Sequence, residues 1–189
     1  RSHCDWSSDV CSSDLNGLWI EWYQQGQKSE GATWRDGKKH GLQTNWYRDG
    51  QKMKETTYKD GEKHGLETNW NQVGQKSSER TYKNGNKDGL MTRWYSNGQK
   101  RGEGTFKDGK PHGLGTKWYE NGQKKEERTH KDGKLMSIVA WQPNGEKCPG
   151  TNVVNGNGVV VDYHEDGQKE SEGNYKDGKK DGMWTHWHK

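Results

Sequence analysis

The sequence predicts an all-β fold, an elongated antiparallel β-meander of hairpin repeats with about fifteen short strands in a single-layer sheet. Three observations predict it. Glycine recurs in two interleaved series: Gly26, Gly50, Gly74, Gly98, Gly122, Gly145 and Gly167, then Gly37, Gly61, Gly85, Gly109, Gly133, Gly156 and Gly178, each eleven residues behind its counterpart. Aromatic residues keep step, with Trp22, Trp46, Trp70, Trp94, Trp118, Trp141 and Tyr163 four residues before the first series. Finally, only 24% of the 189 residues are hydrophobic while 31% are charged, too little apolar material for a two-layer core, yet 11 Trp and 8 Tyr argue against disorder.

Residues 1–15 share nothing with this pattern. Asp5-Trp-Ser-Ser-Asp-Val-Cys-Ser-Ser-Asp-Leu15 resembles a translated sequencing-library adapter, so the segment is expected to be a non-native or disordered leader, with the repeat array at 16–189. Without the leader, 30 basic residues face 24 acidic ones, a balance of +6 rather than +4, and Cys148 is the sole cysteine, insufficient for a disulfide or thiolate metal site. The chain has no initiating Met, so its natural start is expected to lie elsewhere, and a cytoplasmic location is the expectation. No run is long and apolar enough for a membrane-spanning helix.

The array divides into about seven units of 22–24 residues. In the unit Gly41-Leu-Gln-Thr-Asn-Trp-Tyr-Arg-Asp-Gly-Gln-Lys52, Leu42/Thr44/Trp46 alternate with Gln43/Asn45/Tyr47; Glu55/Thr57 then alternate with Thr56/Tyr58. This is a strand period. Asp-Gly or Asn-Gly punctuates both connections, a hairpin signal that implies type I′ turns. Breakers every eleven to thirteen residues leave no room for helices. With a two-residue turn and then a four-residue connection, Leu42, Thr57 and Leu66 align, as do Thr44, Glu55 and Thr68; Trp46 then faces away from Tyr47 and Tyr58.

The unit at 135–158 is irregular. It carries Pro143 and Pro149 and, with the residues just after it, Ile138, Val139, Ala140, Val153, Val154, Val159, Val160 and Val161. It is expected to be either a locally thicker packing layer or bend, or a partner-docking patch.

The consensus Trp-Tyr-x-Asn/Asp-Gly-Gln-Lys followed by Tyr-Lys-Asp-Gly-Lys-x-His/Asp-Gly resembles the MORN repeat, specifically the bacterial variant of YwqK-type antitoxin proteins. The resemblance covers residues 17–189. It implies a β-hairpin array that binds other molecules, with YwqK-type members acting as immunity partners of a toxin.

Catalytic constellations are not evident. His40, His64 and His112 recur at one position, but successive copies lie two strands apart, roughly 9–10 Å, too far to share a zinc ion. His186-Trp187-His188 lacks a third ligand. Glu55, Glu79, Glu103 and Glu127 occupy equivalent environments, unlike an acid and base pair, and read as cross-strand partners of Lys. No phosphate-binding loop or nucleophile elbow appears, and the glycines read as turn residues. No cofactor, metal or enzymatic activity is expected.

The candidate binding residues are therefore Trp46, Trp70, Trp94 and Trp118, with Tyr47, Tyr95 and Tyr119 beside them, because Tyr and Trp are enriched at binding hot spots. The expected partner is a protein, in the leading reading a cognate toxin. Lys stripes after each turn leave anionic lipid as an alternative, a Trp ladder leaves glycan as another, and no nucleic acid is expected.

Overall fold

The computed structural model describes residues 15–188, so the leader reading of residues 1–14 lies outside the described residues. Leu15 itself joins the array, its carbonyl accepting the Gly37 N–H at 3.1 Å. Fourteen strands follow in order: β1 (Gly17–Trp22), β2 (Lys28–Arg35), β3 (Lys38–Trp46), β4 (Lys52–Lys59), β5 (Glu62–Trp70), β6 (Lys76–Lys83) and β7 (Asn86–Trp94). The remainder are β8 (Lys100–Lys107), β9 (Lys110–Trp118), β10 (Lys124–Lys131), β11 (Lys134–Ala140), β12 (Gly158–Tyr163), β13 (Lys169–Lys176) and β14 (Lys179–His186). All neighbours pair antiparallel in sequential order, β1 to β11 in one sheet and β12 to β14 in a second.

The expected order of a two-residue turn and then a four-residue connection is reversed: the Gly61 series makes the two-residue type I′ turns and the Gly50 series the longer loops. Asp60 (φ 51°) and Gly61 (φ 90°) both sit at positive φ, and Lys59 pairs directly with Glu62 across them. The same holds at Asp36, Asn84, Asp108, Asp132, Asn155 and Asp177 with their glycines. In the other series glycine alone is left-handed. Trp46 pairs with Lys52 across a five-residue loop in which the Tyr47 N–H donates to Gln51 O (2.8 Å) and the Gly50 N–H to Tyr47 O (3.0 Å). Asp49 instead accepts the Gln51 N–H on its carboxylate at 2.9 Å, an Asx-turn that requires no positive φ.

The strand bodies keep the expected register: Leu42 pairs with Thr57, Thr44 with Glu55, and Glu55 with Thr68. The expected Thr57–Leu66 alignment is replaced by a bulge, since pairing passes from Thr56↔Glu67 to Tyr58↔Lys63. The tight turn sets this, leaving His64, Gly65 and Leu66 opposite Thr57 alone. Gly65 absorbs the excess at φ 96°, where a side chain would be strained.

The meander breaks in the irregular unit. A further strand would be expected over 147–154, but Pro149 has no N–H to donate, and the segment makes only isolated bridges, including Ile138↔Val153 and Trp141↔Lys147. Most of its apolar side chains turn inward, Val139 and Val154 remaining exposed. Leu135 and Ile138 of β11 meet Val153, Val160 of β12, Tyr175 of β13 and Trp184 of β14 in one cluster; Ala140, Cys148 and Val161 form another. The unit is thus the thickened layer of the two readings: Ile138, Val153 and Val160 are at most 2% exposed. Here two sheets share a core, whereas nothing described packs on the faces of β1 to β6.

Candidate functional site

Alternation gives the long sheet two faces of different chemistry. On the first lie Leu42, Thr44 and Trp46 of β3, with Glu55 and Lys52 of β4, and their equivalents in other units. The Thr row is its floor: Thr44, Thr68 and Thr92 are buried, and Thr44 and Thr68 donate to Glu55 (3.4 Å) and Glu79 (3.5 Å) across the strands. The Glu column, however, pairs with Lys along its own strand and not across it. Lys52–Glu55, Lys76–Glu79, Lys100–Glu103, Lys124–Glu127 and Lys169–Glu172 are all three residues apart at 2.5–2.8 Å. The offset at each loop, between Asn45 and Trp46 in β3 for example, places both ends of the pair on one face.

These lysines also reach over the next tryptophan. Lys52 lies 5.8 Å from the Trp70 ring centroid, Lys100 5.9 Å from Trp118 and Lys124 5.5 Å from Trp141, while Lys28 spans Trp22 and Trp46 at 5.9 and 5.8 Å. The Trp46 ring edge rests on Gly31, where a Cβ would come within 3.1 Å of it. Trp46, Trp70, Trp94 and Trp118 are accordingly half-buried. More exposed is a row not singled out from the sequence: Leu18 (69%), Leu42 (49%), Leu66 (48%), Leu90 (48%) and Leu114 (55%). Their 24-residue spacing, always four before Trp, was the signal available. Successive members are two strands apart, so the row runs roughly 40 Å along the sheet.

Tyr47, Tyr95 and Tyr119 belong to the opposite side and are engaged in the repeat itself. Their hydroxyls donate to the carbonyls of Trp70 (2.8 Å), Trp118 (2.8 Å) and Trp141 (2.9 Å), and Tyr23 does the same to Trp46 (2.7 Å). Tyr47 and Tyr95 are half-buried; Tyr119 is 1% exposed, and burial pushes its hydroxyl pKa up, aided by the nearby Asp162 and Glu165 carboxylates.

The recurring histidines also bind within the array. The Asp60 N–H donates to His40 Nδ1 at 3.4 Å, and Asp36, Asp108 and Asp177 N–H groups find Asn16, Asp88 and Asn157 in the equivalent place. His, Asp and Asn interchange because each offers a short-range acceptor to the next turn. Among the described residues no cluster of three or more His, Cys, Asp or Glu could hold a metal ion.

The second face is a polar ladder built around buried carboxylates. Glu67, 1% exposed, takes Lys54 (3.1 Å), Lys63 (2.6 Å) and Arg80 (2.9 Å). Burial alone would raise its pKa; the hydrogen bonds and charges of Lys63 and Lys54 outweigh it and hold the carboxyl at about 2. Glu126 repeats the arrangement with Lys117 (2.6 Å) and Arg128 (2.7 Å), and Glu30 with Lys39 (3.0 Å). Glu126 is likewise depressed, burial being overcome by Arg128 and Lys117. The ladder is interrupted at β8 and β9 by Gly102, Gly104 and Gly115, which floor a cleft of about 610 Å³. These three belong to neither turn series.

Two family models match the chain. One, described as MORN repeat, covers residues 32–42, 103–124 and 172–183; the other, described as MORN repeat variant, covers 39–60, 87–108 and 157–177. The match at 39–60 spans nearly all of β3, its loop and β4, and that at 157–177 reaches into the second sheet. No curated protein matches the chain in sequence. Glycine periodicity, paired turns and family matches agree that the chain carries MORN repeats, which are generally binding modules.

Proposed function

We propose that this chain is a non-enzymatic binding protein that receives a protein partner on its Trp-bearing face, and that the partner is a toxin neutralised by occlusion, as the resemblance to YwqK-type antitoxins implies. The observation that carries this reading is the row of Leu18, Leu42, Leu66, Leu90 and Leu114, each at least 48% exposed. Aliphatic side chains left in water at every second strand, flanked by Trp46, Trp70, Trp94 and Trp118, supply the large apolar contact that protein association uses.

The ion pairs favour a protein over an anionic bilayer. Five of the seven lysines that follow the longer loops are paired with Glu three residues on, so on the Trp-bearing face that stripe carries little uncompensated positive charge. The Lys reach over the indoles likewise covers ring faces that a sugar would need. Co-expression with a toxin encoded in the adjacent reading frame tests the reading. Restored growth and co-elution of the two proteins are expected; unchanged toxicity with no complex would refute it.

A further inference from the structure

The interruption of the polar ladder is the feature that folding does not explain. Most glycines in the chain sit at positive φ, and Gly31 and Gly173 are pressed by Trp46 and Trp184. Gly102, Gly104 and Gly115 have neither excuse. A Cβ on Gly102 would meet its first neighbour, Thr116 O, at 3.6 Å; on Gly104, the Gly115 Cα at 3.5 Å; on Gly115, Glu103 O at 3.4 Å. All three are ordinary contact distances. Side chains would fit, and a strand is weakened without them. Their absence opens the cleft.

The cleft also differs in charge balance from the ladder on either side, where Glu67 and Glu126 each gather the neighbouring cations. In register, one row reads Ser78, Arg93, Gly102, Lys117, Glu126, and the next reads Glu67, Arg80, Met91, Gly104, Gly115, Arg128. Of the lining cations, Lys117 and Arg128 are held by Glu126 and Lys125 by Glu170. Arg93, Arg101 and Lys87 line it with no carboxylate within 4.0 Å among the described residues. Arg93 and Arg101 are exposed, Arg101 lying over the Tyr95 ring (5.7 Å) and Lys87 over Phe106 (5.3 Å).

We propose that this cleft is a second binding site, which takes a carboxylate side chain from an extended acidic segment of a protein partner. The ligand carboxylate occupies the place that Glu67 and Glu126 fill on either side, and its stem lies on the glycine floor between Phe106 and Tyr95. From Arg93 of β7 to Arg128 of β10, across the glycine floor of β8 and β9, the cleft spans three strand spacings, roughly 14 Å, enough for one side chain and its neighbour. Arg93 and Arg101 supply forked donors that match a carboxylate. The arginines and the glycine floor belong to the face opposite the leucine row, of which Leu114 alone borders the cleft, so the site can be tested apart from the toxin reading.

The test is fluorescence anisotropy of the full chain with a labelled, end-capped hexapeptide of alternating Glu and Leu, its Gln/Leu counterpart, and inorganic phosphate as competitor. Saturable, salt-sensitive binding of the Glu peptide is expected, with the Gln peptide weaker by roughly tenfold or more. Gly104→Leu with Gly115→Leu fills the floor and is expected to abolish binding. Arg93→Gln with Arg101→Gln, both at exposed positions, removes it without disturbing the fold, while Leu66→Ser with Leu90→Ser leaves it unchanged. Equal binding of Glu and Gln peptides, or native affinity in the arginine variant, would overturn the proposal. Displacement by phosphate at peptide-like concentrations would overturn the peptide assignment in favour of a general anion site.

Discussion

The Tyr47 hydroxyl donates to the carbonyl oxygen of Trp70, 23 residues on and 2.8 Å away. It ties the loop of one unit to the strand end of the next. Because Tyr23, Tyr95 and Tyr119 repeat the bond, unit-to-unit coupling is built into the loops as well as the strands. Such coupling is how a repeat array gains cooperativity from nearest neighbours.

Tyr47→Phe removes that donor and keeps the ring. A loss of about 1 kcal/mol in urea unfolding is expected. Tyr119→Phe should cost more than Tyr47→Phe, since Tyr119 is buried and its partner Trp141 O loses a donor that water is less able to replace.

Strand glycines should divide by what they face. Gly31→Ala places a methyl within about 3.1 Å of the Trp46 ring, so a shift in Trp emission and a loss of about 1 kcal/mol or more are expected. Gly104→Ala meets only ordinary contacts and should be neutral or stabilising by about 0.5–1 kcal/mol. Thermal melts of the two variants check the contrast.

Acid should weaken the fold through Glu67. Its folded pKa, about 2, lies below the ordinary 4.5, so its contribution is complete above pH 4.5 and is lost as pH falls from there toward 2. The linkage is on the order of 3 kcal/mol. Asp162 works in the opposite sense: burial and the neighbouring Glu126 raise its pKa, so its protonation relieves a cost. Urea titrations across this window should show Glu67→Gln flattening the pH dependence relative to the native chain.

The junction of the two sheets should be the site of largest core sensitivity. Ile138→Ala empties a position 2% exposed, in contact with Leu135, Val153 and Val160. A loss of about 2–5 kcal/mol is expected. Hydrogen exchange should quicken first in β12 to β14, where the three-stranded sheet depends on that cluster.

Much of this architecture was legible in the residues. The Gly50 and Gly61 series located both connections, though with their lengths in the wrong order, alternation separated Trp46 from Tyr58, and the Thr44–Glu55–Thr68 row fell where the spacing put it. Asp49-Gly50 and Asp60-Gly61 look alike in sequence yet turn differently, because an Asx-turn and a type I′ turn share one dipeptide vocabulary. The bulge at Gly65 followed from that difference. The break after β11 was hidden because Pro149 removes one donor while valines preserve strand character. At the candidate sites, the Trp residues were visible as a column, but the greater exposure of Leu66 and Leu90 depends on Lys52 and its equivalents reaching over the indoles. Gly102, Gly104 and Gly115 disappeared among so many turn glycines, and only the space above them sets them apart.

The proposed partner surface of leucine and tryptophan rows is tested most directly by growth on co-expression with a toxin encoded in an adjacent frame, comparing the native chain with Leu42→Ser/Leu66→Ser/Leu90→Ser. These side chains are about half exposed, so the variant is expected to fold, with circular dichroism and a thermal melt as the check. Rescue by the native chain and its loss in the folded variant is the expected result. Equal rescue by both proteins, or failure of the native chain to rescue, would contradict the account.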